Sequence, residues 1–361
     1  MKPYDVVVVG AGVFGAWTAF HLARAGSRVL IVDQHGAGNS RSSSGGETRV
    51  IRMSYGGDEI YTRAALRSLE LWREFFPSMF HKTGVLMAAS ARDPYISSTR
   101  ETLEQCGVPF EWLDYAALRK RFPQIRCARG SVAAFEPLSG VLTARRAVQT
   151  VVDAAIRAGA EYQLRRMTEP DQKLARFLVF ACGPWLPKLF PGVIGNRIRP
   201  TRQEVFFFGP PPGDLRWSKM PVWIAFREGF YTIPAIDGRG FKLALDEHGP
   251  RFDPETGDRT VSRAGIAKAR SLLKNRFPEL ADAPLLESRV CQYENTSNGD
   301  FLIDRHPNFE NVWLAGGGSG HGFKHGPFVG EYVAGMISGE GSPEPRFSLE
   351  GKGTRRRRDV F

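Results

Sequence analysis

Residues 5–26, DVVVVGAGVFGAWTAFHLARAG, decide how the rest of the chain is read. Val6–Val9 are a β-branched run too apolar to alternate, which suits a strand buried on both faces. Gly10, Gly12 and Gly15 follow in G-x-G-x-x-G spacing. Val13, Ala16, Trp17, Phe20 and Ala23 then fall on one helical stripe, which Gly26 stops. RVLIVD, residues 28–33, supplies a second strand ending in an acid. The pattern describes a phosphate site. The first glycine permits a tight turn, the second lets backbone approach a pyrophosphate, and the third lets helix and strand pack closely. The helix N-terminus contributes free N–H groups and a positive dipole end. Asp33 lies about 20 residues on, placed for a ribose hydroxyl, and it repels a 2′-phosphate. The nucleotide expected is therefore FAD or NAD rather than NADP. A lone GxGxxG is weak evidence, but here strand, glycines, helix, second strand and acid occur in register.

With 361 residues the chain can bury a large core, and two domains are expected. Hydrophobic content of 42% and charged content of 24% are those of a soluble globular protein. No apolar run approaches the roughly 20 residues needed to cross a bilayer, and Val6–Val9 runs straight into the glycines instead of forming a signal peptide. Cys106, Cys127, Cys182 and Cys291 are widely spaced without a CxxC pair. That argues against a disulfide scaffold or a metal site and for a reducing, cytoplasmic setting. The formal net charge of +11 owes much to scattered arginines and to the tail Arg355–Arg358. Without a basic and aromatic stripe, nucleic-acid binding is a minority reading, although a basic field attracts anionic substrates.

Beyond Asp33, residues 34–52 read as a polar Ser- and Gly-rich loop that lets backbone pass close to a flat ligand at Ser42–Gly46, and Ser43 is counted among the cofactor contacts. Arg49 and Arg52, if helical, share one face. Helices are expected at Tyr61–Phe76, Thr99–Gly107, Tyr115–Phe122, Ala144–Gly159, Ile266–Phe277 and Pro327–Ile337. Thr83–Ala89, Gly240–Leu245 and the aromatic-rich Thr201–Phe208 and Val222–Ile233 read as strands, the last two as antiparallel ones. Phe177–Gly183 and Val312–Gly318 are further buried strands ending in glycine. Three apolar strands thus end in turns at Gly10, Gly183 and Gly316, which a parallel sheet would gather at its carboxyl edge. The fold class expected is α/β, a discontinuous Rossmann-like FAD-binding domain interleaved with an antiparallel-sheet substrate domain. The first would take residues 1–80, 140–195 and 298–345, the second 81–139 and 196–297, leaving 346–361 as a basic, disordered tail.

Five segments carry a resemblance: VVVVGAGVFG at the start, GGETRVIRMSYG at 45–56, FACGPW at 180–185, CQYENTSNGDFLIDRHP at 291–307 and AGGGSGHGFKHGP at 315–327. In this order the chain resembles the FAD-dependent amine oxidases of the D-amino acid oxidase superfamily, in the monomeric sarcosine oxidase and pipecolate oxidase branch. The resemblance implies that Arg52 and Lys324 hold the substrate carboxylate, which an arginine fork and a flexible ammonium suit. It places Arg49 beside the flavin ring, Lys242 over it to activate oxygen, and Tyr231 in the active site. Otherwise Lys242 would read as an exposed strand residue and Tyr231 as a cross-strand aromatic. It gives Cys291 a thioether to the flavin, where a free cysteine would otherwise be a small buried hydrophobe. Gly317, Gly320, His321 and Gly322 would lie along the flavin, with the helix after Pro327 aimed at its pyrimidine end; His321 reads equally as a structural histidine. The pattern departs at Ser44 and Gly45, where family members often carry histidines, and at Asp246, where another histidine is replaced. An acid there alters the pocket's charge and favours a substrate with an additional cationic group. The segment between Tyr162 and Phe177 is also short for the family.

The resemblance implies a monomeric oxidase of a secondary or N-methylated amino acid. A hydride equivalent moves to flavin N5, water hydrolyses the imine, and O2 reoxidises the flavin to give hydrogen peroxide. The rivals are a flavin dehydrogenase that passes electrons to a quinone or carrier protein, a NAD-linked enzyme, and a non-catalytic flavin- or nucleic-acid-binding protein.

Overall fold

A computed structural model describes residues 3–353 of the chain. Its first sheet has six strands, and Tyr4–Val9 lies inside it, parallel to Val29–Asp33 on one side and to Ala175–Phe180 on the other. Phe309–Gly316 extends the parallel array beyond Ala175–Phe180, Glu161–Leu164 does so beyond Val29–Asp33, and Leu302–His306 closes one edge antiparallel. Val7–Val9 are buried because both sides are covered, Val8 packing with the residues of helices Val13–Arg24 and Ala144–Arg157 and Val7 and Val9 with Leu186, Phe190 and Ile194, so no alternation is needed. The turns after Val9, Phe180 and Gly316 therefore lie at one sheet edge, as their sequences require.

The glycine spacing acquires its reason here. A Cβ on Gly15 would stand 1.9 Å from the Gly10 carbonyl oxygen, and one on Gly10 would stand 2.5 Å from that of Ala181. Both positions are fixed by the protein's own packing. Gly12 differs, since a Cβ there would meet only the Ser44 Oγ, at 3.5 Å.

The second sheet has eight strands, mostly antiparallel, in the order Leu285–Thr296, Ile198–Phe208, Phe241–Leu245, Phe230–Ile233, Val222–Ala225, Val85–Ser90, Ser131–Glu136, Glu111–Leu113. Alternation divides it into two faces. Phe206, Phe208, Phe230, Phe241 and Leu243 point into an apolar cluster with Leu118, Ala269 and Leu273 of the covering helices. Lys242 pairs with Phe207 and Ile233, and Cys291 with Gln203, so these residues point to the opposite face, toward the first sheet. The polar face of this sheet is the site.

Several sequence expectations change. Arg49–Ile51 is a short strand paired with Gly140–Leu142, so Arg49 and Arg52 do not share a helical face; the β-branched Val50 and Ile51 suit extended backbone better. Val222–Ile233 is not one strand but two, turned at Phe226–Glu228 with Gly229 in the left-handed region. Leu285–Thr296, the longest strand at twelve residues, goes unread because its polar residues resemble a loop. Arg346–Gly353 is packed against the body: Phe347 is buried, and Arg346 pairs with Asp58 and Asp300, both at 2.6 Å. Residues 346–353 are therefore not part of a disordered tail, and Arg355–Arg358 lies outside the described residues. Among the described residues no helix is long and apolar enough to cross a membrane.

Candidate active site

A long cavity runs along the carboxyl edge of the parallel sheet, from Gly10, Gly12 and Asp33 to Ser43, Arg49, Cys291, Gly320, Gly322 and Phe323. Two of its features fit a flavin dinucleotide. Helix Val13–Arg24 starts at Gly12 without a side-chain cap of its own; the Val13 N–H is taken by Ser44 Oγ at 3.0 Å. The cavity reaches Gly12 beside this helix end, the approach a pyrophosphate needs. Asp33 anchors the turn as well, its Oδ2 accepting from the Ala11 N–H at 2.8 Å and its Oδ1 from His35 and Gly36.

Glu294 is the second feature. Its Oε1 accepts from the Gly318 N–H at 3.3 Å, while Oε2 is buried with no partner among the described residues. Burial pushes this carboxyl up from 4.5 to about 7, so near neutrality about half of the molecules hold a proton there to offer along the cavity. A carboxyl raised in the folded state favours folding below its unfolded value and loses that contribution as pH rises through about 7. Relative to Glu294→Gln, the unaltered protein is therefore expected to lose on the order of 3 kcal/mol of stability between about pH 5 and about pH 8. Urea unfolding of both proteins across that range checks this; parallel curves would contradict it.

A smaller cavity shares Arg49, Cys291, Tyr293 and Gly320 with the long one and adds Tyr231 and Lys242. Lys242 is 2% exposed and donates to the Thr48 carbonyl at 3.0 Å, 5.4 Å from the centre of the Tyr231 ring. Arg49 donates to the same carbonyl at 2.8 Å, to the Ser43 carbonyl at 2.6 Å and to Cys291 Sγ at 3.5 Å. Burial, and after it the Arg49 charge, hold the Lys242 ammonium well below its usual range. Thr48, absent from the sequence reading, joins the two cations.

Arg52 and Lys324, 8% and 4% exposed, meet on Tyr55. The Arg52 guanidinium lies 4.7 Å from that ring's centre and the Lys324 Nζ 4.9 Å. Lys324 also donates to the Tyr55 hydroxyl at 2.6 Å and to the His321 carbonyl at 2.9 Å. Burial, then Arg52, holds the Lys324 ammonium well below its usual range. Behind Arg52, Glu136 accepts from the Met53 and Ser54 N–H groups at 2.8 and 2.9 Å and from the hydroxyls of Ser54 and Ser139. Four donors on one buried carboxylate fix the backbone that presents Arg52.

Three expected contacts lie away from the cavity wall. The His321 ring donates from Nε2 to the Gly299 carbonyl at 2.9 Å, meets the Tyr55 hydroxyl at 3.2 Å through Nδ1, and stacks on Phe301. It is a structural histidine beneath Lys324. Gly317, at φ +71°, has Thr296 2.6 Å from where a Cβ would be, so its role is packing. Gly15 likewise serves the turn and not the cavity wall.

With fold and site in place, comparison supplies the class. Residues 5–336 match the family described as FAD dependent oxidoreductase, and the chain belongs to that family. It is 33% identical over 361 residues to "Monomeric sarcosine oxidase" of Streptomyces avermitilis, spanning 92% of this chain and 94% of that one. It is 30% identical to "Peroxisomal sarcosine oxidase" of Homo sapiens, over 91% of each. With "N-methyl-L-tryptophan oxidase" of Salmonella heidelberg it shares 28% identity over 96% and 97% of the two chains. Among solved structures, L-proline dehydrogenase from P. horikoshii superimposes with a TM-score of 0.82 at 21% identity, covering 99% of this chain and all of the other. The protein is accordingly an FAD-dependent oxidoreductase of the amine and amino acid class.

Proposed function

We propose that this enzyme oxidises a secondary or N-methylated amino acid at the carbon next to nitrogen and passes the electrons to O2. The observation that carries this reading is the meeting of Arg52 and Lys324, two buried cations, on Tyr55, with Lys324 next in sequence to Phe323 of the cavity wall. A buried cation pair of this kind asks for an anion, and the substrate carboxylate meets the fork of one and the ammonium of the other. Bound FAD supplies the two-electron acceptor. The chain's share is orientation: the two cations fix one end of the substrate so that the amine-bearing carbon points to the cavity. Tyr231 and Phe323 exclude water there, and Lys242 places a cation where negative charge develops as oxygen is reduced. Water then hydrolyses the imine to an amine and a carbonyl compound. The relatives named as sarcosine and N-methyltryptophan oxidases support this substrate class, and the description of the Streptomyces avermitilis relative as monomeric supports a single chain as the working unit. Four free cysteines support a reducing compartment.

Cys291 Sγ faces the cavity beside Arg49, and this supports a covalent thioether to the flavin. After denaturation, flavin fluorescence is expected to stay on the unaltered polypeptide and to be released from Cys291→Ser. Flavin that washes off the unaltered protein would contradict the linkage. Hydrogen peroxide formed stoichiometrically under air is expected for an oxidase; turnover only with a quinone or dye would contradict that part.

A further inference from the structure

We propose that Asp246 selects amino acids that carry a second positive charge, in the side chain or on the nitrogen substituent. This rests on the proposed function and names its substrate more narrowly. The surroundings of the carboxylate anchor are cationic, with Arg49, Arg52, Lys242 and Lys324 all within the site, and Glu136 is spent on four donors behind Arg52. Asp246 differs in place. It directly follows strand Phe241–Leu245, past Lys242, and is half-buried where Lys242 and Lys324 are buried. Tyr293, two residues along from Cys291, donates its hydroxyl to Asp246 Oδ1 at 2.8 Å and so fixes the carboxylate's orientation. The Asp246 charge acts on Lys324, on Tyr231 and on Tyr293, groups that come from three different elements around the site. Tyr293 lines both cavities, so its bond to Asp246 sets this carboxylate next to the cavity wall, less buried than the two anchors.

The burial gradient sets the substrate's direction. An amino acid that enters carboxylate-first onto Arg52 and Lys324 leaves its remaining groups reaching back toward Asp246. A neutral chain would leave that carboxylate with no gain from binding, whereas an ammonium or guanidinium would form a charge-assisted hydrogen bond in a partly dry setting.

The test compares N-methyl-L-lysine with N-methyl-L-norleucine, which lacks only the terminal ammonium, on the flavin-loaded enzyme. For the unaltered enzyme kcat/KM is expected to favour the lysine derivative by about tenfold or more, mainly through KM. That preference should shrink as ionic strength rises. In Asp246→Asn the ratio is expected to fall close to one. A ratio of one or less in the unaltered enzyme, which requires no variant, would overturn the proposal, and so would an unchanged ratio in Asp246→Asn. Failure of both amines to be oxidised would instead overturn the reading on which it rests.

Discussion

Arg52→Met is expected to lower kcat/KM for an N-methyl amino acid by about 10²–10³, with most of the change in KM. The direction follows from what Arg52 touches. Its guanidinium is buried over Tyr55 next to Lys324, and the charge of each disfavours the other. A bound carboxylate relieves both at once, so removing the fork forfeits a charge-assisted contact made in ground state and transition state alike. The fold should survive, because the Glu136 bonds to the Met53 and Ser54 N–H groups stay in place in the variant. Steady-state kinetics with an amino acid and with its carboxylate-free amine separate the outcomes. The variant should lose the discrimination between the two, and a variant that keeps it would show that the anion is held elsewhere.

The second large effect belongs to Lys242. Replacing it with Met should slow the oxygen half-reaction by about 10²–10³ and leave the amine half-reaction within a few-fold. Lys242 is buried, bonded to Thr48 and set against Tyr231, and burial with the Arg49 charge keeps its proton affinity low. Developing negative charge beside it would favour the ammonium form at the moment it is needed. Rapid mixing of the reduced enzyme with O2, and separately of the oxidised enzyme with amine, reads the two halves. Equal slowing of both would assign Lys242 to substrate binding.

The parts of this molecule that were legible in the sequence are those whose residue types are fixed by local sterics. Gly10 and Gly15 are where backbone passes too close for any side chain, and buried parallel strands must be apolar on both faces. Their spacing therefore announces the nucleotide sheet. Leu285–Thr296 was opaque for the opposite reason. It pairs along almost its whole length with Ile198–Phe208, but its side chains include Gln292, Glu294 and Asn295, which face polar surroundings. The clamp was visible only in part. Arg52 and Lys324 were marked by resemblance, yet the contacts of Tyr55 with Lys324 and of Glu136 with the Arg52 segment span 82 to 269 residues of sequence. No local pattern records such a distance. Asp246 stood out as an odd residue, and its Tyr293 partner emerged only when strands were assembled.

The most direct measurement is anaerobic titration of the flavin-loaded protein with an N-methyl amino acid and with the matching amine that lacks the carboxylate. Loss of the oxidised flavin absorbance with the acid, absent or at least a hundredfold weaker with the amine, is expected if two buried cations orient the substrate. Equal bleaching by both compounds, or bleaching by neither while NADH reduces the protein, would contradict it.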